Sequence, residues 1–410
     1  MRGLYVLVFT RAVAGSLTPS TCDAANIFIS SLRCPLQGES SVLSRNLYEG
    51  RWSVGSTCYG ASPDEYCVYT DPQFNQGEGL SIITTAESIA NLTSRPAFRR
   101  QISTSITDGP YLEVEIPGKG RGLVATKTIK TGRKLIARTP ALVVNSEAIK
   151  KLHRDDLDGL LSRAVDSLPS VHRDEILQLS THDSARTHEE KVGKIFRTNS
   201  FSTGYHDGKS NFRSLFTTVS RINHSCCPNC AYYFDSDTFS QHVVAVRDIQ
   251  PGEELSIAYI DPILPKSERT KRLKSWGFEC SCERCSANVT QTAESDENIA
   301  EVHRLWKQLD DYSALSRATP EMAERLISLY YQEGLESRIQ EAHYRAAVEW
   351  IGHGEVEMAS QHAKLCIEYG TLFKGPGRPF IEKMRQLLDS PTHHPHWKFR
   401  LKQHTDKKQE

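Results

Sequence analysis

The sequence predicts an α+β fold, because short strand patterns lie on both sides of a charged helical segment and a long helical region follows. The helical segment covers residues 146–197 and carries apolar side chains at three- and four-residue intervals. After about residue 295 the chain is helical almost throughout. Strands that flank one insert, instead of alternating with helices, argue against a βαβ repeat and favour the α+β class.

The first part of the chain, residues 1–108, is predicted to be an N-terminal extension. Residues 17–105 are rich in Ser, Thr, Gly and Asn, and segments 65–69 and 80–84 have the composition of short strands. Residues 1–14 have the outline of a signal peptide, although Arg11 interrupts it and its apolar run is short. We assign this extension no chemistry.

Four cysteines lie apart from one another in this extension. They are Cys22, Cys34, Cys58 and Cys67. An even number beside a signal-like segment permits two disulfides, and the sequence does not choose among the three connectivities. Four ordinary buried thiols are the alternative.

The central part of the chain carries the remaining strand patterns. Residues 111–116 alternate apolar and polar side chains, as a half-buried strand does. Further strands are predicted at 123–126 and 134–137, before the insert, and at 231–234, 242–246 and 255–259, after it. In the insert, the predicted core positions are Leu157, Leu160, Leu161, Val165 and Leu168.

The last part of the chain, residues 295–390, is predicted to form helices. Residues 321–332, 337–351 and 354–373 each carry an apolar stripe, with Gly or Pro near the breaks. A small bundle or a tetratricopeptide-like stack is one interpretation, but no clean self-similarity supports repeats. We favour helices that pack as a lid on the preceding domain.

Composition excludes some classes of function. The 410 residues contain 50 Lys plus Arg and 50 Asp plus Glu, so no overall charge draws the protein to nucleic acid or to membranes. No apolar run reaches the roughly 18 residues of a membrane-spanning helix. The apolar content of 38% suits a globular chain with a sizeable core.

The cysteines of the segment CSCERC predict a metal site. Cys280, Cys282 and Cys285 lie within six residues, and thiolates about 2.3 Å from zinc favour a compact tetrahedral arrangement. Three thiols are one short of a closed structural site, so a fourth ligand must come from elsewhere. The only other clustered candidates are Cys226, Cys227 and Cys230.

Three more motifs carry polar groups in loops or at strand ends. RINHSCCPN at 221–229 places Asn and His side by side in a loop rich in hydrogen-bonding groups. PGEELSIAYID at 251–261 is a turn and a strand that ends in Tyr259. GKGRGL at 118–123 lies between two strands, and its glycines allow backbone amides to approach a ligand. Each of these three motifs alone is weak evidence for a particular function.

In their order along the chain, which is GKGRGL, RINHSCCPN, PGEELSIAYID and CSCERC, the four motifs resemble those of the SET-domain methyltransferases over residues 109–286. The resemblance is closest to the SET-and-MYND subgroup, but residues 145–198 contain no cysteine, so the MYND zinc module is absent. It implies a SET-domain β-clip fold over residues 109–262, with the insert inside it. A post-SET zinc segment would follow at 263–288, before the helical region.

The resemblance also implies roles for individual residues. Tyr259 would be the catalytic residue that orients the substrate amine, and Cys226 the fourth zinc ligand beside Cys280, Cys282 and Cys285. Cys230 is the alternative fourth ligand. Phe278, beside the cofactor, would form an aromatic wall of the lysine channel. The implied contacts of S-adenosyl-L-methionine are Gly120, Arg121, Gly122, Leu123, Asn199, Asn223, His224, Tyr259 and Phe278.

The function implied is S-adenosyl-L-methionine-dependent methylation of lysines in a histone or non-histone protein. An inactive SET scaffold that binds proteins through its C-terminal helices is the alternative, and a secreted disulfide protein is a third hypothesis. Zinc thiolates suit a reducing compartment, and Asn223 is part of a glycosylation sequon that secretion would expose to modification. We therefore expect a cytoplasmic or nuclear enzyme that acts on proteins, without strong nucleic-acid or membrane binding.

Overall fold

The computed structural model describes residues 51–96, 98, 109–181, 183–204, 211–313 and 315–401. The signal-like segment, Cys22 and Cys34 lie outside these residues. Within them, the mixture of strands and helices confirms the predicted α+β class. No helix of the described residues has the length and apolar character needed to cross a membrane.

A six-stranded sheet contains strands from both sides of the predicted boundary at residue 108. The strands are β1 (Ser53–Tyr59), β2 (Tyr66–Asp71), β3 (Leu80–Thr84), β7 (Leu142–Asn145), β8 (Ser200–Gly204) and β9 (Asn211–Leu215). Across the sheet their order is β1-β2-β3-β7-β9-β8. β3 pairs in parallel with β7, with Ser81 opposite Leu142. The two strands predicted in the extension are confirmed, and they share this sheet with the central part of the chain.

A disulfide joins β1 and β2. Cys58 and Cys67 are directly opposite each other in the antiparallel pair and are bonded through their sulfurs. One of the three sequence-compatible connectivities is thereby selected for these two residues. The helix α1 (Ala86–Thr93) follows β3, and the Thr85 side chain caps it by accepting a hydrogen bond from the Ser88 N–H.

Smaller sheets carry the motifs. β4 (Tyr111–Ile116) and β5 (Gly120–Ala125) form a hairpin, while β6 (Lys134–Arg138), β12 (Ser240–Ala245) and β11 (Cys230–Asp235) form a three-stranded sheet. β10 (Asn223–His224) pairs in parallel with β13 (Ser256–Ile257). The strand predicted at 255–259 is therefore shorter than expected, because its partner has only two residues, and Tyr259 lies beyond its end.

The insert is helical, as predicted. It consists of α2 (Ser146–Lys151), α3 (Arg154–Asp166), α4 (Ser170–Leu177) and α5 (His188–Asn199). The predicted core leucines and Val165 are buried in one hydrophobic cluster that includes residues of β2, β3 and β7. The Thr187 side chain caps α5 by accepting from the Glu190 N–H. Because α5 ends at Asn199, the cap and the buried face of this helix position that side chain.

The C-terminal helices pack against the three-stranded sheet. They are α7 (Val289–Leu309), α8 (Pro320–Gln332), α9 (Ile339–Gly352), α10 (Val356–Lys374) and α11 (Pro379–Asp389), and the shorter helix α6 (Lys266–Lys274) precedes them. One hydrophobic cluster contains Val302, Leu326 and Phe373 from these helices together with Tyr233 and Val244 from the sheet. This shared core agrees with helices that pack on the preceding domain.

A buried ion pair fastens the end of the described chain to these helices. The Arg400 guanidinium donates to the Glu349 carboxylate at 2.8 Å and to the backbone carbonyls of Leu309 and Asp311. The Arg400 and Glu349 side chains are only 2% and 1% exposed. Neither charge is hydrated, so each depends on the other.

We predict that Glu349→Leu lowers the free energy of unfolding by about 3–5 kcal/mol, because it leaves the Arg400 charge buried without its carboxylate. The double variant Glu349→Leu/Arg400→Met removes both charges and should recover most of that loss. Urea unfolding of the two variants and the unchanged protein measures the difference. Equal stability of the single and double variants would show that the pair contributes nothing.

Candidate active site

A cavity of about 190 Å³, here the first cavity, collects most of the predicted site residues. Its wall is formed by the β4–β5 turn, Ser180, the end of α5, the start of the RINHSCCPN loop, Tyr259 and residues 276–281. Six of the nine predicted cofactor contacts are in this wall: Arg121, Asn199, Asn223, His224, Tyr259 and Phe278. Gly120, Gly122 and Leu123 are not, so their predicted contacts with a cofactor stay predictions.

The Asn223 side chain is held at the wall of the first cavity by a short polar network. Its Nδ2 donates to Glu254 Oε1 at 2.9 Å and to the Arg121 carbonyl at 3.3 Å. Lys119 Nζ lies 2.7 Å from the other Glu254 carboxylate oxygen. The β4–β5 turn and the loop before Tyr259 therefore meet at Asn223.

Gly122 contributes space to this network. A Cβ at this position would lie 2.8 Å from Asn223 Nδ2 and 2.7 Å from Ile116 Cγ1. Because glycine has no Cβ, the Asn223 side chain can approach the hairpin at this position. Leu123 has a different place: it is 2% exposed and belongs to the hydrophobic core below the hairpin.

We predict that Gly122→Ala lowers the free energy of unfolding by about 1–3 kcal/mol, because the new methyl group must displace Asn223 or Ile116. Gly159→Ala is the matched control: it lies in α3, and an added Cβ meets nothing within 4 Å. The control should be more stable than the unchanged protein by about 0.5–1 kcal/mol. Urea unfolding measures both, and two substitutions of the same sign would contradict the close approach at Gly122.

His224 connects the first cavity to the cysteine cluster. Its Nδ1 accepts the backbone N–H of Tyr259 at 3.0 Å, and its Nε2 lies 3.3 Å from Cys226 Sγ. Because a backbone amide only donates, Nδ1 is unprotonated and Nε2 carries the hydrogen. Burial lowers the pKa of His224 to about 4, so the imidazole is neutral at physiological pH. Both ring nitrogens are thus engaged inside the protein.

Tyr259 presents a neutral phenol at the inner end of the first cavity. Its hydroxyl donates to the Ile222 carbonyl at 2.8 Å. Burial, assisted by the Glu254 charge, raises the pKa of Tyr259 above its ordinary value. Since the phenol proton is directed to Ile222, the oxygen lone pairs are left for another donor.

A second cavity, of about 240 Å³, lies on the other side of Tyr259. It shares five wall residues with the first: Thr198, Asn199, Ser220, Tyr259 and Trp276. Two aromatic residues, Phe201 and Tyr232, line only the second cavity, and their rings are 5.3 Å apart. The two cavities therefore meet at the tyrosine.

Phe278, which the resemblance placed in the lysine channel, lines the first cavity and not the second. The other aromatic residues of the two walls were not among the predicted site residues. The Trp276 ring is 4.9 Å from that of Tyr259, and the Phe278 ring is 6.3 Å from it. The only sequence feature that could have pointed to Trp276 as a site residue is its position two residues before Phe278. Aromatic residues in strands, such as Phe201 and Tyr232, are usually packing residues, and only the fold places these two beside Tyr259.

Four thiols come together as the resemblance implied. The sulfurs of Cys226, Cys280, Cys282 and Cys285 all lie within 4.8 Å of one another, and Cys226 and Cys285 are 3.6 Å apart. Tetrahedral ligands about 2.3 Å from a zinc ion have sulfurs about 3.8 Å apart, so the group fits that ion. The alternative ligand Cys230 lies on β11 in the hydrophobic core and is not in the group.

The four thiols hydrogen-bond to one another, and their pKa values shift in opposite directions. A hydrogen bond with Cys280 raises the pKa of Cys226, and the pKa of Cys280 is raised as well. A hydrogen bond from Cys226, followed by others from neighbouring thiols, holds the pKa of Cys282 far below its ordinary value. A hydrogen bond from Cys226 likewise lowers the pKa of Cys285 to about 7. Thiolates are the form that binds a metal.

Known proteins are similar to this chain in the region of the site. The family model described as "SET domain" matches residues 120–260. The "Histone-lysine N-methyltransferase set5" of Schizosaccharomyces pombe is 27% identical over 297 residues, which are 69% of this chain and 85% of that protein. The human "Histone-lysine N-methyltransferase SMYD3" is 33% identical over 166 residues, 40% of this chain and 36% of that protein. This chain thus spans most of the first relative and about a third of the second.

Among solved structures, similarity extends to the "Crystal structure of the SET domain of LSMT bound to Lysine and AdoHcy". The sequence identity is 12%, and the match covers 75% of this chain and 96% of that one, with a TM-score of 0.31.

Proposed function

We propose that this chain, which is a SET-domain protein related to curated protein-lysine methyltransferases, transfers methyl groups from S-adenosyl-L-methionine to lysines of other proteins. One observation carries the proposal: two cavities with different walls meet at Tyr259. Both walls mix polar and aromatic residues. The first cavity adds the polar side chains of Arg121, Asn223 and His224, suited to a polar cofactor, and the second adds the rings of Phe201 and Tyr232, suited to the aliphatic chain of a lysine. We propose the activity, the cofactor and the protein target together for the whole protein.

Methyl transfer requires a neutral amine, aligned with the methyl group and shielded from water. A free lysine has a pKa of about 10.4, and desolvation lowers it. Phe201, Tyr232 and Trp276 form the apolar part of the wall of the second cavity, here named the lysine channel, and the charged Arg213 lies in the same wall. The lone pairs of Tyr259 then accept a hydrogen from the amine and orient it toward the first cavity.

Bound S-adenosyl-L-methionine would supply an electrophilic methyl group on its sulfonium. Arg121, Asn199 and Asn223 are the residues of the first cavity placed to bind it. The Asn199 Nδ2 already donates to the Ser180 and Ile195 carbonyls at 2.9 and 2.8 Å, so its amide oxygen has a defined direction. The His224 ring is engaged with Tyr259 and Cys226, which leaves its backbone for the cofactor.

Zinc is the metal we propose for the four thiols. Four protein ligands leave no open position, so the ion would be structural. Its position ties the chain around Phe278 and Trp276 to the loop of Asn223 and His224. The metal would thereby hold one wall of both cavities in place.

Incubation with S-adenosyl-L-methionine labelled in the methyl group tests the proposal. Purified histones and a denatured, enzyme-free cell extract serve as acceptors, and mass spectrometry identifies the modified side chain. Label on lysine of a protein supports the proposal, while no label on any acceptor would contradict it. The scaffold alternative is not favoured, because Tyr259 and the Asn-His pair are intact and lie in one site.

A cytoplasmic or nuclear location, and protein contacts through the C-terminal helices, belong to the same proposal. Thiolate ligation of a metal supports this location, since thiols stay reduced in those compartments, whereas the Cys58–Cys67 disulfide is a bond that those compartments disfavour. Fractionation of cells that express the tagged full-length chain tests the location.

A further inference from the structure

A third cavity, of about 390 Å³, adjoins the lysine channel. The two share Ser202 and Tyr232. One side of the third cavity is the turn after β11, with Asp235 and Asp237, and the other is the segment after α10, with Lys374 and Arg378. A protein segment whose lysine enters the channel would therefore place neighbouring residues beside these charged groups.

Lys374 is the unusual residue of the third cavity, because its charge is largely buried and unpaired. Within the part of the chain that the structure describes, its ammonium makes no hydrogen bond or ion pair. The acids whose charges act on it, Glu341 and Asp261, are each held by Arg338 at 2.7 Å. Burial lowers the pKa of Lys374, although the Glu341 charge opposes the effect. A desolvated cation of this kind gains free energy when an anion reaches it.

Unlike Lys374, the two acids that line the third cavity, Asp235 and Asp237, do not need a further partner for their charges. Asp235 Oδ1 accepts the Asp237 N–H at 2.9 Å, and its other oxygen lies 3.9 Å from His242 Nε2. The Asp237 side chain is exposed, so water solvates its charge. Exposed charges gain little from pairing. An acidic ligand at Lys374 is therefore favoured over a basic ligand at the aspartates.

Resting on the proposed methyltransferase function, we propose that the third cavity binds an acidic side chain of the substrate, close in sequence to the methylated lysine. Lys374 is its partner through a charge-assisted hydrogen bond. Arg378, exposed in the same wall, adds a second positive charge. Lys374 is thus a specificity residue, and the substrates it selects are lysines flanked by Asp or Glu.

Synthetic peptides with one central lysine test the inference. Each has Glu, Gln or Lys at one of the three positions on either side, and small residues elsewhere. We expect the unchanged enzyme to favour Glu over the isosteric Gln at one position by about tenfold in kcat/KM. The same peptides with norleucine in place of lysine are tested for binding by fluorescence anisotropy, in the presence of S-adenosylhomocysteine.

Three variants assign the preference to the residue. Lys374→Met should lose the preference for Glu, and Lys374→Arg should keep most of it. Lys364→Met is the matched control, because Lys364 is exposed on the same helix and lines none of the three cavities. Thermal unfolding of each variant verifies that it is folded.

Equal use of Glu and Gln, preference for Lys, or an unchanged preference in Lys374→Met would each overturn the inference. A failure to methylate any peptide would count against the proposed function instead. In that case the norleucine peptides still decide the inference: Lys374→Met must weaken binding of the Glu peptide about tenfold and leave the Gln peptide unchanged.

Discussion

Replacing Tyr259 with phenylalanine is expected to lower kcat for methyl transfer by about 10²–10³-fold, because one hydrogen-bonding group at the reacting centre is lost. The ring keeps its contacts with Trp276 and Phe278, whose centroids are 4.9 and 6.3 Å away. Removal of the hydroxyl frees the Ile222 carbonyl but opens no large cavity. The defect should therefore be in kcat, with little change in the binding of S-adenosyl-L-methionine.

Initial rates with a labelled methyl donor, together with calorimetric titration of the cofactor, separate the two quantities. Tyr69→Phe is the control, since it removes a buried phenol from β2, and no residue of β2 lines any of the three cavities. It should leave kcat unchanged. An active Tyr259→Phe variant would remove the role of the phenol while leaving the two cavities in place.

Replacing Cys282 with serine is expected to abolish metal binding and, with it, nearly all activity. Structural zinc sites contribute roughly 10–16 kcal/mol of apparent free energy in small domains, so one lost ligand is a large change. Here the lost order would reach the chain that includes Trp276 and Phe278, and through Cys226 the His224 ring that holds the Tyr259 backbone. Removal of the metal by a chelator should have the same effect.

Elemental analysis of the purified protein measures the metal, and hydrogen exchange measures protection around residues 276–286. Cys227→Ser is the matched control: it lies beside a ligand but outside the group of four. It should retain one zinc ion per chain and exchange as slowly as the unchanged protein. A metal-bound Cys282→Ser variant, or loss of metal in the control, would show that the ligand set is different.

Much of the fold and of the thiol site could be predicted from patterns within short segments of the sequence. The helices of the insert follow from apolar spacing, which depends on neighbouring residues alone, and all five predicted core positions there are buried. The triad Cys280, Cys282 and Cys285 follows from ligand spacing within six residues. The strand before Tyr259 was predicted too long, because its extent depends on the two-residue partner β10.

Long-range contacts were beyond such patterns. The parallel pairing of β3 with β7 brings residues of the N-terminal extension into the central sheet, and no periodicity within either strand specifies a distant partner. The close approach of Asn223 to Gly122 is equally invisible locally. Trp276 and Tyr232 resemble ordinary packing residues until the fold sets them beside Tyr259.

By itself the sequence determined the α+β class, the three-thiol motif and the set of motifs that meet at Tyr259, since each rests on residue types and spacings within short segments. The tertiary structure alone decided that two cavities share Tyr259, and it places Cys226 in the thiol group, as the resemblance implied, and Cys230 outside it. It also left Lys374 unpaired beside the lysine channel. These features depend on distances between segments far apart in the chain, which packing sets and local patterns do not encode.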